Sequence, residues 1–254
     1  MSGKHKGHHA LVTGGGTGIG EAIALALAAE GAEVTITGRR IEALEETAKK
    51  SSGIHPLVMD VSDEAAIVDG VKSAIAARGP VDILVANAGI AETSAFAKTP
   101  LDFWRKIMVT NLDGVFLTCR EVVPGMVEKG WGRIITISSI AGVAGLKYGA
   151  AYSASKHGVV GLTRVLSEEY MDKGITTNAI CPGYVRTPIV DRNTDLIMKR
   201  SGLTKEQAEA AMADTNRNKT LIEVEEIAAA ALWLADPVSK SVNGQTIKIA
   251  GGQV

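Results

Sequence analysis

Long hydrophobic runs are missing from this 254-residue sequence, and so is a surplus of charge of either sign. Every apolar stretch is broken well before the ~18 residues that a membrane span needs. The polar, basic stretch from Met1 to His9 holds no hydrophobic signal segment. No membrane partner is expected, and the cytoplasm is the expected compartment. With 27 Lys and Arg against 28 Asp and Glu, the formal net charge is −1, which suggests no polyanion-binding surface, and no nucleic-acid partner is expected. Only two cysteines occur, Cys119 and Cys181, both in apolar surroundings, so reduced buried thiols are expected rather than a disulfide framework. Metal-ligand spacing is also lacking. His5, His8 and His9 cluster in what reads as a terminal arm, without Cys or carboxylate at ligand distance, and no metal is expected there. No composition break, repeat or low-complexity linker divides the chain, so residues 1–254 read as one domain able to bury a large core.

What the chain does hold is an alternation of short apolar strands and helical patterns, the βαβ order of a parallel sheet. Residues 10–13 form a buried strand that runs into Gly14-Gly-Gly16-Thr17-Gly18-Ile19-Gly20, and an apolar helical face follows. Strand, glycine turn and helix in that order make a phosphate cradle: backbone can approach a pyrophosphate, and the helix start offers unpaired N–H groups. The spacing Gly-x-x-x-Gly-x-Gly departs from the Gly-x-Gly-x-x-Gly fingerprint and indicates a different Rossmann lineage. A second strand, 33–37, ends at Gly38-Arg39-Arg40 where many NAD enzymes place a carboxylate on the ribose. The planar fork of Arg39 suits a 2′-phosphate, so NADP(H) is favoured over NAD(H). The third strand ends at Met59-Asp60-Val61, with Asp60 in reach of an adenine amino group. The fourth, 81–86, leads to Asn87-Ala88-Gly89, small enough for backbone to pass close to a cofactor. Helical patterns at 41–50 and 63–78 separate these strands.

In the second half, residues 101–129 read as one long helix with Asn111 in its interior, an unfavourable place that calls for a polar contact or a water-holding kink. The strand at 134–137 delivers Ser138 and Ser139 to its carboxyl end. Tyr152 and Lys156 then stand four apart on one helical face. An ammonium beside a phenol favours the phenolate, lowers the tyrosine pKa, and fits the pair to exchange a proton with an alcohol or carbonyl oxygen that Ser139 positions. Gly174 closes this helix, and 175–181 forms a sixth strand before the turn at Pro182-Gly183. The charged helical region 188–221 breaks the alternation and reads as a lid. A helix at 223–235 and a strand at 245–249 complete the chain.

Thr13-Gly-Gly-Gly-Thr-Gly-Ile-Gly20, Asn87-Ala-Gly89, Asn111, Ser139 and Tyr152-Ser-Ala-Ser-Lys156 together resemble the short-chain dehydrogenase/reductase family over nearly the whole chain. The resemblance implies a doubly wound, Rossmann-like sheet of seven parallel strands with helices on both faces, a nicotinamide cofactor and a homotetramer packed through the long helices. It implies that Tyr152 is the acid/base and that Lys156 grips the nicotinamide ribose. Ser139 then binds the substrate oxygen, and Asn111 anchors a relay water. The cofactor set extends to Pro182, Gly183, Val185 and Thr187. Residues 157–161 and 174–188 are especially similar to D-3-hydroxybutyrate dehydrogenases and to 3-oxoacyl and polyketide ketoreductases. Where the hydroxybutyrate enzymes hold a substrate carboxylate with Gln, His and Lys, this chain has Ala91, Ala141 and Gly149, and their Trp is Tyr184. Arg186, Arg192 and Lys147 are the other side chains that could pair with one. The reaction implied is hydride transfer between the nicotinamide and a secondary alcohol or ketone, with a non-catalytic dinucleotide sensor as the rival, disfavoured by the intact tetrad.

Overall fold

β-branched runs without polar alternation must be covered on both faces, and the sheet of this protein is covered in that way. The computed structural model describes residues 3–214 and 216–253. Seven strands run in the order β1 (His9–Thr13), β2 (Glu33–Gly38), β3 (Ile54–Val58), β4 (Ile83–Ala86), β5 (Gly132–Ile137), β6 (Ile175–Pro182) and β7 (Thr246–Ile249). Every pairing is parallel, and the spatial order is β3-β2-β1-β4-β5-β6-β7. The expected seven-stranded, doubly wound sheet is therefore present.

Helices fill both faces: α1 (Gly18–Ala29), α2 (Ile41–Ala48), α3 (Glu64–Arg78), α4 (Leu101–Met108), α5 (Gly114–Lys129), α6 (Ala150–Tyr170), α7 (Pro188–Ser201), α8 (Lys205–Ala213) and α9 (Val224–Ala235). Successive strand residues point to opposite faces. Ala10, Val12, Ile83 and Val85 meet Ile23 and Leu27 of α1 and Ile227 and Leu234 of α9. Leu11, Leu84 and Ile134 meet Val71 of α3, Val122 of α5 and Val159 of α6. The strand order reverses between β1 and β4, so the crevice outside their carboxyl ends is the place where this architecture binds a ligand.

Two expectations need correction. Residues 101–129 do not form one regular helix: Val109–Asp113 between α4 and α5 is a π-helical turn. The wider turn carries Asn111 inward to full burial, where its amide pairs with backbone. The histidines do not lie in a solvated arm either. His5 and His9 are buried, and the His8 ring stacks on Trp131 with centroids 4.5 Å apart. His9 opens β1; its Nδ1 donates to Gly79 O at 2.8 Å, and its Nε2 pairs with Thr35 Oγ1 at 2.9 Å. A polar stretch reads as exposed in sequence, but these imidazoles find partners that no local pattern reveals.

Candidate active site

Two adjoining clefts open at the carboxyl ends of the strands. The first, about 290 Å³, is walled by Gly14, Gly16, Thr17, Gly18 and Ile19 from the β1–α1 turn and by Arg39 beyond β2. Asp60 and Val61 beyond β3, and Asn87, Ala88 and Gly89 beyond β4, stand in the same wall. Gly14 has a φ of 66°, and a β-carbon there would stand 2.9 Å from Asn87 Nδ2; a side chain is excluded on both counts. Thr17 precedes α1 without capping it, so the first N–H groups of the helix have no intrahelical or side-chain acceptor and form an anion site. Asn87 locks the turn, its Nδ2 donating to Thr13 O at 2.9 Å, while Asn87 N–H and Ala88 N–H both donate to Thr13 Oγ1 at 3.0 Å. Arg39 and Arg40 are exposed at the end of the groove, and among the described lining residues the one carboxylate is Asp60 beyond β3, with none supplied by the segment after β2. Partial burial acts against the Asp60 carboxylate, yet hydrogen bonds from Ser62 and the nearby Arg39 charge hold its pKa below the usual value. These features fit a dinucleotide: small backbone walls for a pyrophosphate, an open helix start, and a cationic end.

The second cleft, about 700 Å³, contains Ser139, Tyr152, Lys156, Pro182, Gly183 and Val185, and shares Ile19, Asn87, Gly89, Ile90 and Thr187 with the first. Every residue expected at the cofactor thus lines one cleft or the other. β5 ends at Ser138 and Ser139, and Ser138 Oγ donates to Lys156 O at 3.0 Å, tying the strand end to α6. On α6 the inward stripe includes Ala151, Ser155, Lys156, Val159 and Thr163, so the ammonium of Lys156 is drawn into the interior with its helix face. Its Nζ donates to Ile137 O at 2.8 Å, and burial pushes its pKa down to about 8. Ala141 N–H donates to Ser139 Oγ at 3.1 Å, and Ser139 stands close enough to Tyr152 for its hydroxyl to favour the phenolate.

The expected depression of the tyrosine pKa by Lys156 is not what this geometry gives. Burial raises the Tyr152 pKa, and the Ser139 hydrogen bond only opposes it. Lys156 Nζ lies 5.9 Å from the phenol ring centroid and is engaged by Ile137. Desolvation of the phenolate therefore outweighs a cation held at that distance.

Asn111 lines neither cleft. Its Oδ1 accepts from Ile90 N–H at 2.8 Å, and its Nδ2 donates to Ile90 O at 2.9 Å and to Ser155 Oγ at 3.2 Å. The amide holds the loop after β4 against α6. Asn111→Ala is expected to lower folding stability by about 2–4 kcal/mol, because both Ile90 backbone groups lose their partner; a denaturant melt measures it, and an unchanged midpoint would refute the clamp.

Of the positions compared with carboxylate-binding side chains, Ala91, Ala141 and Tyr184 do line the second cleft, but Gly149 does not; it precedes α6 and bridges to Ser94. Arg186 is paired with Glu223 at 3.1 Å, and Lys147 lies 5.1 Å from the Tyr148 ring centroid; neither reaches the cleft. The side chain of Arg192 lies outside the described residues. Among the described residues Lys156 is the one cation in the wall and Glu92 the one carboxylate, itself paired with Lys106 at 2.8 and 3.0 Å. Ile90, Glu92, Phe103, Leu146, Met212 and Gln253 escaped the sequence reading. Only position could have found Ile90 and Glu92, which follow a strand end; no motif marks the others.

Residues 8–196 match the short chain dehydrogenase family. The chain is 36% identical to a D-beta-hydroxybutyrate dehydrogenase of Rhizobium meliloti (strain 1021) over 254 residues, covering 96% of this chain and 97% of the relative. It is 39% identical to an acetoacetyl-CoA reductase of the same organism over 244 residues, covering 96% and 97%. Among solved structures, an actinorhodin polyketide ketoreductase crystallised with NADPH superposes with a TM-score of 0.94 at 34% identity, covering 100% of this chain and 99% of that one.

Proposed function

This chain belongs to the short-chain dehydrogenase/reductase family, oxidoreductases acting on CH–OH groups, and on that premise we propose that it is an NADP(H)-dependent reductase of 3-oxoacyl thioesters. The observation that carries the substrate class is the second cleft: a Ser139–Tyr152 pair faces walls whose described residues hold no cation apart from Lys156. A relative acting on D-beta-hydroxybutyrate favours a second reading, the free hydroxy acid, but the polar side chains that would hold its carboxylate are absent at Ala91 and Ala141. A panel of ketones and thioesters, read by nicotinamide absorbance with both cofactors, tests the choice.

The nicotinamide supplies or takes the hydride when bound. Ser139 and Tyr152 hydrogen-bond the substrate oxygen, and Tyr152 gives it a proton in the reducing direction. Lys156 fixes the ribose and places positive charge beside the phenol. Asn111 acts as a positioning residue through Ile90 and anchors the relay water. The glycine turn holds the pyrophosphate at the start of α1, Asp60 and Val61 take the adenine, and Asn87 to Gly89, Pro182, Gly183, Val185 and Thr187 border the nicotinamide half.

Preference for NADP(H) rests on Arg39 and on the missing carboxylate after β2. Arg39→Asp is expected to reverse it. Loss of a charge-assisted pair of about 1.5–3 kcal/mol moves the ratio of kcat/KM values for NADPH and NADH by roughly 10–10²-fold. Equal or better efficiency with NADH in the wild type would show that Arg39 does not read the phosphate.

We assign residues 188–221 as the lid of a single catalytic domain. Val190 and Met212 line the cleft and pack with Tyr184 and Leu221 in a small core separate from those on the sheet. A homotetramer through the long helices is supported by exposed Phe116 on α5 and Val165 on α6. Two free buried cysteines agree with a cytoplasmic setting, and no described helix is long and apolar enough to cross a membrane.

A further inference from the structure

Gln253 lines the substrate cleft although it lies far along the chain from every motif that marks the site. Backbone pairing brings it there. Gly183 N–H donates to Ile249 O at 2.9 Å, and after β7 the chain turns through Gly251 and Gly252, whose φ values are 54° and 85°. The turn is held from the lid side by Asn218 N–H donating to Gly251 O at 3.0 Å, and it closes with Gln253 N–H donating to Ala250 O at 3.0 Å. The side-chain Oε1 of Gln253 is buried and has no hydrogen-bond partner. Among the described side chains with such an orphaned atom, Gln253 alone lines this cleft. An unpaired buried amide oxygen carries its desolvation penalty uncompensated, and an unsatisfied group at a binding site calls for a partner from the ligand.

The position of this amide matches one feature of the proposed substrate. Ser139 follows β5, and β5, β6 and β7 are neighbours, so two interstrand steps place the end of β7 roughly 10 Å from the reacting end. With the 3-oxo group between Ser139 and Tyr152, a thioester arm of that order carries its first amide toward the β7 end of the cleft, where Gln253 stands in the wall. A primary amide side chain accepts through its oxygen and donates through its nitrogen, complementing a secondary amide that offers the same pair in reverse. We propose that Gln253 is a specificity-determining residue that hydrogen-bonds the amide of the substrate's thioester arm, an inference resting on the 3-oxoacyl reading.

The test compares S-acetoacetyl-N-acetylcysteamine with its N-methyl counterpart, which keeps the thioester and loses the amide N–H. Wild-type enzyme should favour the secondary amide by roughly tenfold in kcat/KM, through KM, the size of one hydrogen bond in a water-poor site. In Gln253→Met, which keeps length and removes hydrogen bonding, that preference should vanish. The cycle isolates the contact from the bulk of the added methyl. Absence of a preference in the wild type, or its survival in Gln253→Met, overturns the proposal. Gln253→Ala replaces the Met variant if dinucleotide binding shows that the latter is misfolded. Failure of the underlying reading looks different: the wild type then reduces neither thioester while still turning over other ketones.

Discussion

Replacing Tyr152 by Phe is expected to lower kcat by at least ~10²-fold, the lower end of what a positioned acid or base contributes, while dinucleotide affinity changes little. The phenol is half-buried in the cleft beside Ser139 and stands one helical turn before Lys156. Phe keeps the ring in place and removes the hydroxyl that carries the exchangeable proton. The cradle formed by the β1–α1 turn does not involve Tyr152, so single-turnover rates and cofactor titration separate the two effects. The raised tyrosine pKa adds a signature. A phenol protonated throughout the neutral range is ready to act as the proton donor in reduction. Alcohol oxidation needs the phenolate, so its rate should climb with pH where reduction does not. Near-wild-type turnover in Tyr152→Phe would remove Tyr152 from the chemistry.

How much of this was legible beforehand depended on whether the information was local. The strand–glycine–helix order around Gly14 to Gly20 and the i,i+4 placement of Tyr152 and Lys156 are properties of short segments, and the clefts contain these residues. Parallel strands also announce themselves, because burial on both faces demands unbroken apolar runs. Non-local partners were not legible. The π-helical turn at Val109–Asp113 exists because Asn111 finds the Ile90 backbone, 21 residues away. The raised Tyr152 pKa follows from desolvation where α6 meets the ends of β5 and β6, near Ser139, Cys181 and Tyr184, whereas spacing alone predicts the opposite direction. His9 looked solvated until Gly79 and Thr35 supplied partners for both ring nitrogens. Gln253 reaches the cleft by the pairing of β6 with β7, which no motif encodes.

The same dependence on surroundings governs the expected choice between a free acid and a thioester. Acetoacetate should be a poor substrate relative to an acetoacetyl thioester or ester, with kcat/KM lower by about 10²-fold or more. A carboxylate carried into a closing, water-poor cleft must find a cation or several hydrogen-bond donors, and the lack of them costs several kcal/mol. Ala91 and Ala141 offer none, Arg186 is paired with Glu223, and Lys147 does not reach the cleft. Glu92 stands in the wall and adds repulsion, reduced by its pairing with Lys106. Lys156 is the one cation among the described lining residues, and it lies beside the reacting end, bonded to Ile137 O. A carboxylate that reached it would displace the ketone from Ser139 and Tyr152. The thioester has no charge to compensate at that position, so the apolar wall that penalises the acid favours the neutral acyl group. The comparison must be made at one pH and one salt concentration, because screening alters the cost of the acid and leaves the thioester nearly untouched. A clear advantage for acetoacetate would place a carboxylate-binding cation over the cleft and restore the hydroxybutyrate dehydrogenase reading.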